Sequence, residues 1–346
     1  MAATTYGTNA PNVVKLFSRK LFREALKQTT FAPYMGESSD SMIQVLNDTR
    51  KGPGDKITYQ LRMQLSGAGV SGDGTLEGNE EALTVYTDSI LIDQLRHAVR
   101  SGGKMSDQRI PFSVREEARM GLTDWWADRI DQALINQLAG VSTQSDLRYT
   151  GNNSATAPST GRQLFVNSNE LTEASISTTS TMTLAAIDKC VATAKTSTPL
   201  IRPLMVEGEK MYVMHLHPYQ VYSLRQTTST GGWQDIQKFA YMGKGVGSNP
   251  IFTGALGVYN NVILRENSRI PSVVSNTRRA IFCGAQAATF AVGQNNTPEK
   301  MSWVEELFDY ENQLGVSAGM IFGAKKSVFN STDFGVLVMS TYATAP

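Results

Sequence analysis

Residues 55–65 read Asp55-Lys-Ile-Thr-Tyr-Gln-Leu-Arg-Met-Gln-Leu65, and residues 67–81 read Gly67-Ala-Gly-Val-Ser-Gly-Asp-Gly-Thr-Leu-Glu-Gly-Asn-Glu-Glu81. In the first stretch Ile57, Tyr59, Leu61, Met63 and Leu65 fall on alternate positions, the period of a strand with one buried face. The second stretch is a glycine-rich tip carrying the acids Asp73, Glu77, Glu80 and Glu81. The return from Leu83 to Leu95 starts as a strand. Together these features predict a hairpin over 54–99. A two-stranded hairpin is marginal in water by itself, and an exposed edge with an apolar face invites another chain. With nothing of its own to pack against, this hairpin is expected to lie on a neighbouring subunit.

Composition agrees with a life in an assembly. The chain has 346 residues, enough for a core in two or three lobes. Only 18% of its residues are charged, which suits a protein that hides surface in contacts. The formal net charge of +1 provides no global field to steer it to nucleic acid or membrane. Cys190 and Cys283 lie far apart in apolar contexts and read as reduced, buried thiols; a disulfide stays open, because sequence does not fix their separation. Met1 to Pro11 lack the charged start and apolar run of a signal peptide. No stretch has the apolar length to cross a bilayer, so no membrane partner is expected.

Around the hairpin the period changes. Val13, Phe17, Leu21 and Ala25 follow helical spacing, with Lys15, Arg19, Lys20, Arg23 and Lys27 on the other surface. This basic arm reads equally as a solvated charged face and as an arm that docks on a neighbour or faces packaged nucleic acid. Ser113-Val-Arg-Glu116 has the form of a capping box. Ala118, Leu122, Trp125, Trp126, Ile130, Ala133, Leu134 and Leu138 then recur at threes and fours, and Gly140 offers a stop. That predicts one helix of about 40 Å, at about 1.5 Å per residue. Residues 141–182, rich in Ser, Thr, Asn and Gly, read as a surface insertion or a long loop.

A helix is expected from Thr183 to Lys195, a buried strand over Met211 to His217, and a helix from Pro218. A glycine-rich loop follows over 227–258, carrying Trp233, Phe239, Tyr241, Gly243, Gly245 and Gly247. Strands are expected over 261–265, 279–283, 303–308, 316–322 and 334–341, with a short apolar stretch at 285–292. Mixed elements without regular alternation predict an α+β fold.

Enzymatic constellations are missing. Gly243-Lys-Gly-Val-Gly-Ser248 is not a phosphate loop, since Lys244 is followed by Gly245 rather than Ser or Thr. His215 and His217 share a strand face, but the single other histidine, His97, and the lack of a His-Glu-x-x-His or paired-cysteine pattern favour a packed pair over a metal site. The tip acids miss the spacing of a calcium loop. No G-x-S-x-G elbow or convincing carboxylate pair is present. No catalytic residue, cofactor or metal ligand is expected.

The blocks Val14-Lys-Leu-Phe-Ser-Arg-Lys-Leu-Phe-Arg-Glu-Ala-Leu26, Gly69 to Glu81, Ile92-Asp-Gln-Leu-Arg-His-Ala-Val99, Ile201-Arg-Pro-Leu204 and Asn249-Pro-Ile-Phe-Thr-Gly-Ala-Leu-Gly257 occur in an order that resembles the major capsid proteins of tailed bacteriophages. Those proteins share the Hong-Kong-97-like fold, and the sequence looks closest to the N-four-type phage group. The resemblance implies an N-terminal arm over 1–53, an E-loop hairpin over 54–99, and a P-domain spine helix with its polar insertion over 100–182. It further implies an A-domain over 183–300 and C-terminal strands over 301–346 that return to the P-domain. It makes the hairpin face and acidic tip intersubunit contacts, and gives the loop with Trp233 and Gly243 to Gly247 to the capsomer centre.

Implied partners are further copies of the chain, as hexamers and pentamers of an icosahedral shell. A portal, scaffolding or decoration proteins, and packaged double-stranded DNA held without sequence preference complete the set. The implied location is the virion capsid, assembled in the bacterial cytoplasm. Scaffolding is expected from a separate protein, because the chain begins almost directly with the arm. Some relatives cross-link an E-loop lysine to a neighbour's asparagine. Here Leu65 to Leu83 hold no lysine and Lys56 sits at the base, so no cross-link is expected. Two rival readings are a DNA-binding oligomer using the basic arm, with salt-sensitive affinity, and a hydrolase or transferase with a site in 183–300.

Overall fold

A computed structural model describes residues 21, 24–25, 29–47, 54–62, 65, 67–83, 85–111, 113–206, 208–226, 257–293 and 301–345. The basic residues Lys15, Arg19, Lys20, Arg23 and Lys27, the hairpin residue Met63, and the loop residues Trp233, Gly243, Gly245 and Gly247 lie outside them.

Among the described residues two main sheets and the helices Val114–Leu138, Leu184–Thr196 and Pro218–Gln226 carry the fold. Glu209–Leu216, the helix Pro218–Gln226 and Val262–Glu266 form one parallel strand–helix–strand unit, but helices and strands do not alternate regularly along the chain, as the α+β expectation has it. The first sheet is built on one long strand, Gln313–Lys326. Ser302–Phe308 and Asp93–Arg100 pair antiparallel with its first part, and Ala288–Val292 with its end. Ile43–Leu46 then extends the sheet in parallel beyond Ala288–Val292. The second sheet runs Gln163–Phe165, Val336–Tyr342, Thr277–Cys283, Glu209–Leu216, Val262–Glu266, Val258–Tyr259. Two main apolar cores fill the molecule, and the first also takes Val213, Ile281, Cys283 and Val336 from the second sheet. One gathers Trp126, Phe290, Trp303 and Phe322 beneath the long helix; the other gathers Ile187, Val191, Met214, Leu224, Phe282 and Met339.

The long helix spans Val114–Leu138. Its periodic residues Ala118, Leu122, Trp126 and Ile130 are buried as the spacing requires, and from Ala133 to Leu138 every residue is buried. Its C-terminus closes as the sequence suggests. Val141 N–H donates to Asn136 O at 3.0 Å and Gly140 N–H to Gln137 O at 3.1 Å, with Gly140 at φ 64°. This is the glycine-terminated double bond of a Schellman stop. The N-terminus needs a correction. Ser113 is the N-cap, but its side chain makes no capping bond, so the predicted box does not form. The helix start is held instead by Arg115 Nε on Glu305 Oε1 at 2.6 Å, a carboxylate that also accepts from Trp303 Nε1 at 2.7 Å.

Residues 141–182 are irregular for the most part, as a long loop is, but the segment does not lie wholly on the surface. Thr150, Asn153, Arg162, Glu170, Glu173 and Ser180 are all buried. Their polar groups bond to one another and to backbone, for example Gln137 Nε2 to Thr150 O at 2.8 Å and to Asn153 O at 2.7 Å, so burial leaves them satisfied. Val336–Tyr342 pairs with Thr277–Cys283 and Gln163–Phe165 inside the second sheet. Its run of buried residues, with partners on both sides, makes it an interior strand there.

The buried thiols follow expectation: Cys190 and Cys283 are free, one in each core, and burial pushes both up from the ordinary thiol range. His215 lies against Phe31, with ring centroids 4.7 Å apart, and neither of its ring nitrogens has a hydrogen-bond partner. His217 Nδ1 accepts from Tyr219 N–H at 3.2 Å. No cluster of metal-binding type occurs among the described residues. Burial, reinforced by Arg265, pulls His215 down from 6.5 to about 4. Between those values the unfolded chain holds a proton that the folded chain refuses. Stability is therefore full above about pH 6.5 and declines as pH falls toward 4, by roughly 3 kcal/mol in all. Thermal melting of the soluble subunit at pH 7 and pH 5 reads this. His215→Leu should shrink the difference without abolishing it, because burial and Arg278 pull His217 down to about 4 as well.

Candidate assembly interface

The hairpin consists of Lys56–Arg62 and Val85–Leu91, paired antiparallel with Ile57 opposite Ile90 and Tyr59 opposite Asp88. At its base the apolar face is used within the chain. Ile57, Ile90 and Ile92 pack with Ala291, flanked by Leu46, Tyr59 and Ile321. The Tyr59 ring meets Phe329 edge-on at 5.7 Å, and its hydroxyl donates to Asp88 Oδ2 at 2.8 Å. Burial and the Asp88 charge push this phenol above the ordinary tyrosine range. Asp88 pairs with Lys325, whose ammonium also donates to Ser89 O at 2.8 Å. Asn153 clasps the last residue of the return strand: Leu91 N–H donates to its Oδ1 and its Nδ2 donates to Leu91 O, both at 2.9 Å.

This corrects the expectation of a hairpin without a partner of its own. Ile57 and Tyr59 face their own sheet because residues 288–292 and 313–326, remote in sequence, arrive beneath them. No local pattern carries that information. Asp88, Lys325 and Asn153, which root the hairpin, were not singled out from sequence; Asp88 on an otherwise strand-like arm was the available signal.

Beyond the root the character inverts. Leu65 and residues 67–83 are all exposed, including Leu65, Val70, Leu76 and Leu83. Two tip acids are engaged locally: Glu81 Oε2 accepts from Gly67 N–H at 2.6 Å and Glu80 Oε2 from Gly78 N–H at 2.7 Å. Glu81 thereby ties the two sides of the tip together. Asp73 and Glu77 make no hydrogen bond or ion pair with the described residues, and Leu76, 62% exposed, lies between them. The arm behaves like the hairpin root where it is described. Leu21 and Ala25 are buried in the core beneath the long helix, and Glu24 pairs with Arg119 of that helix. The apolar positions 21 and 25 thus dock on their own chain.

A hairpin rooted in one sheet, a long helix laid under it and a second sheet-based lobe define a shell-forming subunit of the Hong-Kong-97-like fold. The chain belongs to the phage capsid protein family, which matches residues 5–345. It is 31% identical to a major capsid protein of Pseudomonas phage KPP25, over 93% of each chain. Among solved structures it resembles the capsid of Ralstonia phage GP4, with a TM-score of 0.79 and 32% identity over 100% of this chain and 99% of that one. It also resembles the capsid of cyanophage Pam1 in fold, with a TM-score of 0.77 and 20% identity over 100% and 95% of the two chains. The protein is a structural component of a virion capsid and not an enzyme. Neither the DNA-binding oligomer nor the hydrolase finds support in these matches. They carry the family and not the narrower N-four-type grouping.

Proposed function

We propose that the chain assembles through pentamers and hexamers into an icosahedral shell around phage double-stranded DNA, in the host cytoplasm, with the tip of the 54–99 hairpin lying on an adjacent subunit. The observation that carries this reading is the contrast along one hairpin. Its base is fixed by packing, a half-buried ion pair and an asparagine clasp, whereas residues 67–83 expose apolar and acidic side chains together. A rigid root with an exposed apolar tip serves contact with another copy, and a closed symmetric shell repeats one such contact many times. The 227–258 loop would meet its equivalents at the capsomer centre, and the basic arm, a portal and scaffolding or decoration proteins would complete the particle.

Size-exclusion chromatography and negative-stain microscopy of the expressed protein test the reading. Shells or free capsomers are expected; a stable monomer at high concentration would overturn it. The particle should hold without covalent links, because no lysine lies between Leu65 and Leu83. Boiled particles on a denaturing gel should run as one monomer band. A ladder of multimers would refute noncovalent closure.

A further inference from the structure

A second surface of this chain has the chemistry that the tip lacks. A cavity of 390 Å³ opens beside the helix Leu184–Thr196, lined by Ala194, Lys195, Leu200, Ile201, Arg202, Pro203, Lys210, Tyr212 and Asn261. Ile201, Pro203 and Tyr212 give it an apolar floor. Lys195, Arg202 and Lys210 ring the mouth, and all three are exposed. Among the described residues no carboxylate lines it. Among the described residues none of these three cations forms an ion pair: Arg202 donates to Ser39 O and Gln286 Oε1, both uncharged. Leu200 and Met205 are more than half exposed at its edge, and Met205 lies across the ladder from Lys210.

The floor is held in place before anything arrives. Tyr212 hydroxyl donates to Ile201 O at 3.2 Å, and Ile201 N–H to Ala194 O at 3.1 Å. Arg162, buried beneath, donates to Ser197 Oγ at 2.8 Å and to Pro199 O at 2.5 Å. A fixed apolar pocket whose rim cations have no carboxylate partner among the described residues selects an apolar side chain flanked by acids, at low ordering cost.

We infer that this pocket receives the hairpin tip of a second copy of the chain, with Leu76 entering the apolar floor and Asp73 and Glu77 meeting Lys195, Arg202 and Lys210. The inference rests on the assembly reading and names the receiving surface. The tip fits by composition: residues 67–83 carry four acids and no base, and Leu76 stands exposed between the two acids that have no local bond. The chain's own tip is exposed throughout, so it does not fill its own pocket. The basic arm, the other segment expected to reach a neighbour, has the wrong charge.

Paired cysteines test the contact directly. Cys190 and Cys283 are buried, so Leu76→Cys with Leu200→Cys places the reactive thiols at the proposed contact. Mildly oxidised particles of the double variant should give multimers on a nonreducing denaturing gel, and each single variant should give monomer. Normal particles of the double variant without multimers would overturn the inference while leaving assembly intact. Wild-type protein that forms no particles would instead overturn the assembly reading and this inference with it. Charge exchange supplies a second readout. Lys195→Glu with Lys210→Glu should lower particle yield by about tenfold or more, and adding Asp73→Lys with Glu77→Lys should restore it. Failure of the exchange to restore yield from folded subunits would refute the pairing.

Discussion

Arg279→Met is expected to remove most soluble subunit. The guanidinium is buried where the two lobes meet. Its Nη1 donates to Ala139 O at 2.8 Å and Gly140 O at 2.7 Å, at the stop of the long helix. Its other nitrogens hold Glu173, with Nε on Oε1 at 2.6 Å and Nη2 on Oε2 at 3.0 Å. Glu173 in turn accepts from Ser340 Oγ at 2.9 Å and Gln163 Nε2 at 3.2 Å. One ion pair therefore joins the helix end, the polar segment 163–175, the strand Thr277–Cys283 and the last strand. Methionine fills similar volume but leaves a buried carboxylate without its cation and takes the side-chain donor from Ala139 O, while Gly140 O keeps Ser142 N–H at 3.0 Å. Breaking a buried pair from one side costs about 3–5 kcal/mol, a large part of the roughly 5–15 kcal/mol that holds a domain. Soluble yield and the thermal midpoint report the loss. Arg279→Met with Glu173→Leu should recover only part of it, because Ala139 O stays without its donor and the Ser340 hydroxyl, though still accepting from Gln163 Nε2 at 3.0 Å, has lost its acceptor. Full recovery would mean that the pair matters through charge burial alone.

That junction also marks where sequence reading stops working. Elements whose pattern is local were legible. The helix over Val114–Leu138, its glycine stop, the helix Leu184–Thr196 and the strands of the C-terminal third all follow from period and punctuation. The irregular course of segment 141–182 is legible from its Ser, Thr, Asn and Gly content, but its partial burial is not, because a fully solvated loop has the same composition. Composition does not reveal that Asn153, Arg162 and Glu173 are satisfied by groups far along the chain. The hairpin was read rightly as a hairpin and wrongly as partnerless for the same reason. Its alternation shows that one face is buried, and nothing in the period says against what. Ile57 and Tyr59 found Ala291 and Phe329; the exposed tip found nothing in its own chain. The acids were legible as a cluster, but not their division into Glu80 and Glu81, bound locally, and Asp73 and Glu77, left outward.

Gly323→Val should leave folded subunits that do not build particles. A Cβ at this position would stand 2.1 Å from Leu91 O and 3.1 Å from Leu91 C, so the obstruction is backbone rather than a movable side-chain end. Leu91 is the last residue of the hairpin's return strand, and Asn153 holds both its N–H and its carbonyl. Asn153 is itself bonded to Gly151 O at 3.0 Å, and Ala324 N–H donates to that same oxygen at 2.8 Å. The carbonyl therefore has no room to retreat without opening the clasp. The added side chain is accommodated by lifting the hairpin root off the sheet, which breaks the Ile57, Ile90, Ile92 and Ala291 contact. Overpacking of this kind costs about 3 kcal/mol, concentrated at the root, while the two main cores keep their packing. Amide exchange should accelerate over 85–91 and stay slow over 277–283, and microscopy should find capsomers or monomers in place of shells. Gly121→Ala provides the contrast. That glycine lies exposed inside the long helix with nothing within 4 Å of an added Cβ, so alanine should raise stability by about 0.5–1 kcal/mol with particle yield unchanged. Shells at wild-type yield from Gly323→Val would show that a displaced root still presents the tip. Loss of shells with a firm core would show that assembly depends on the angle at which the root holds the hairpin, as well as on the residues at its tip.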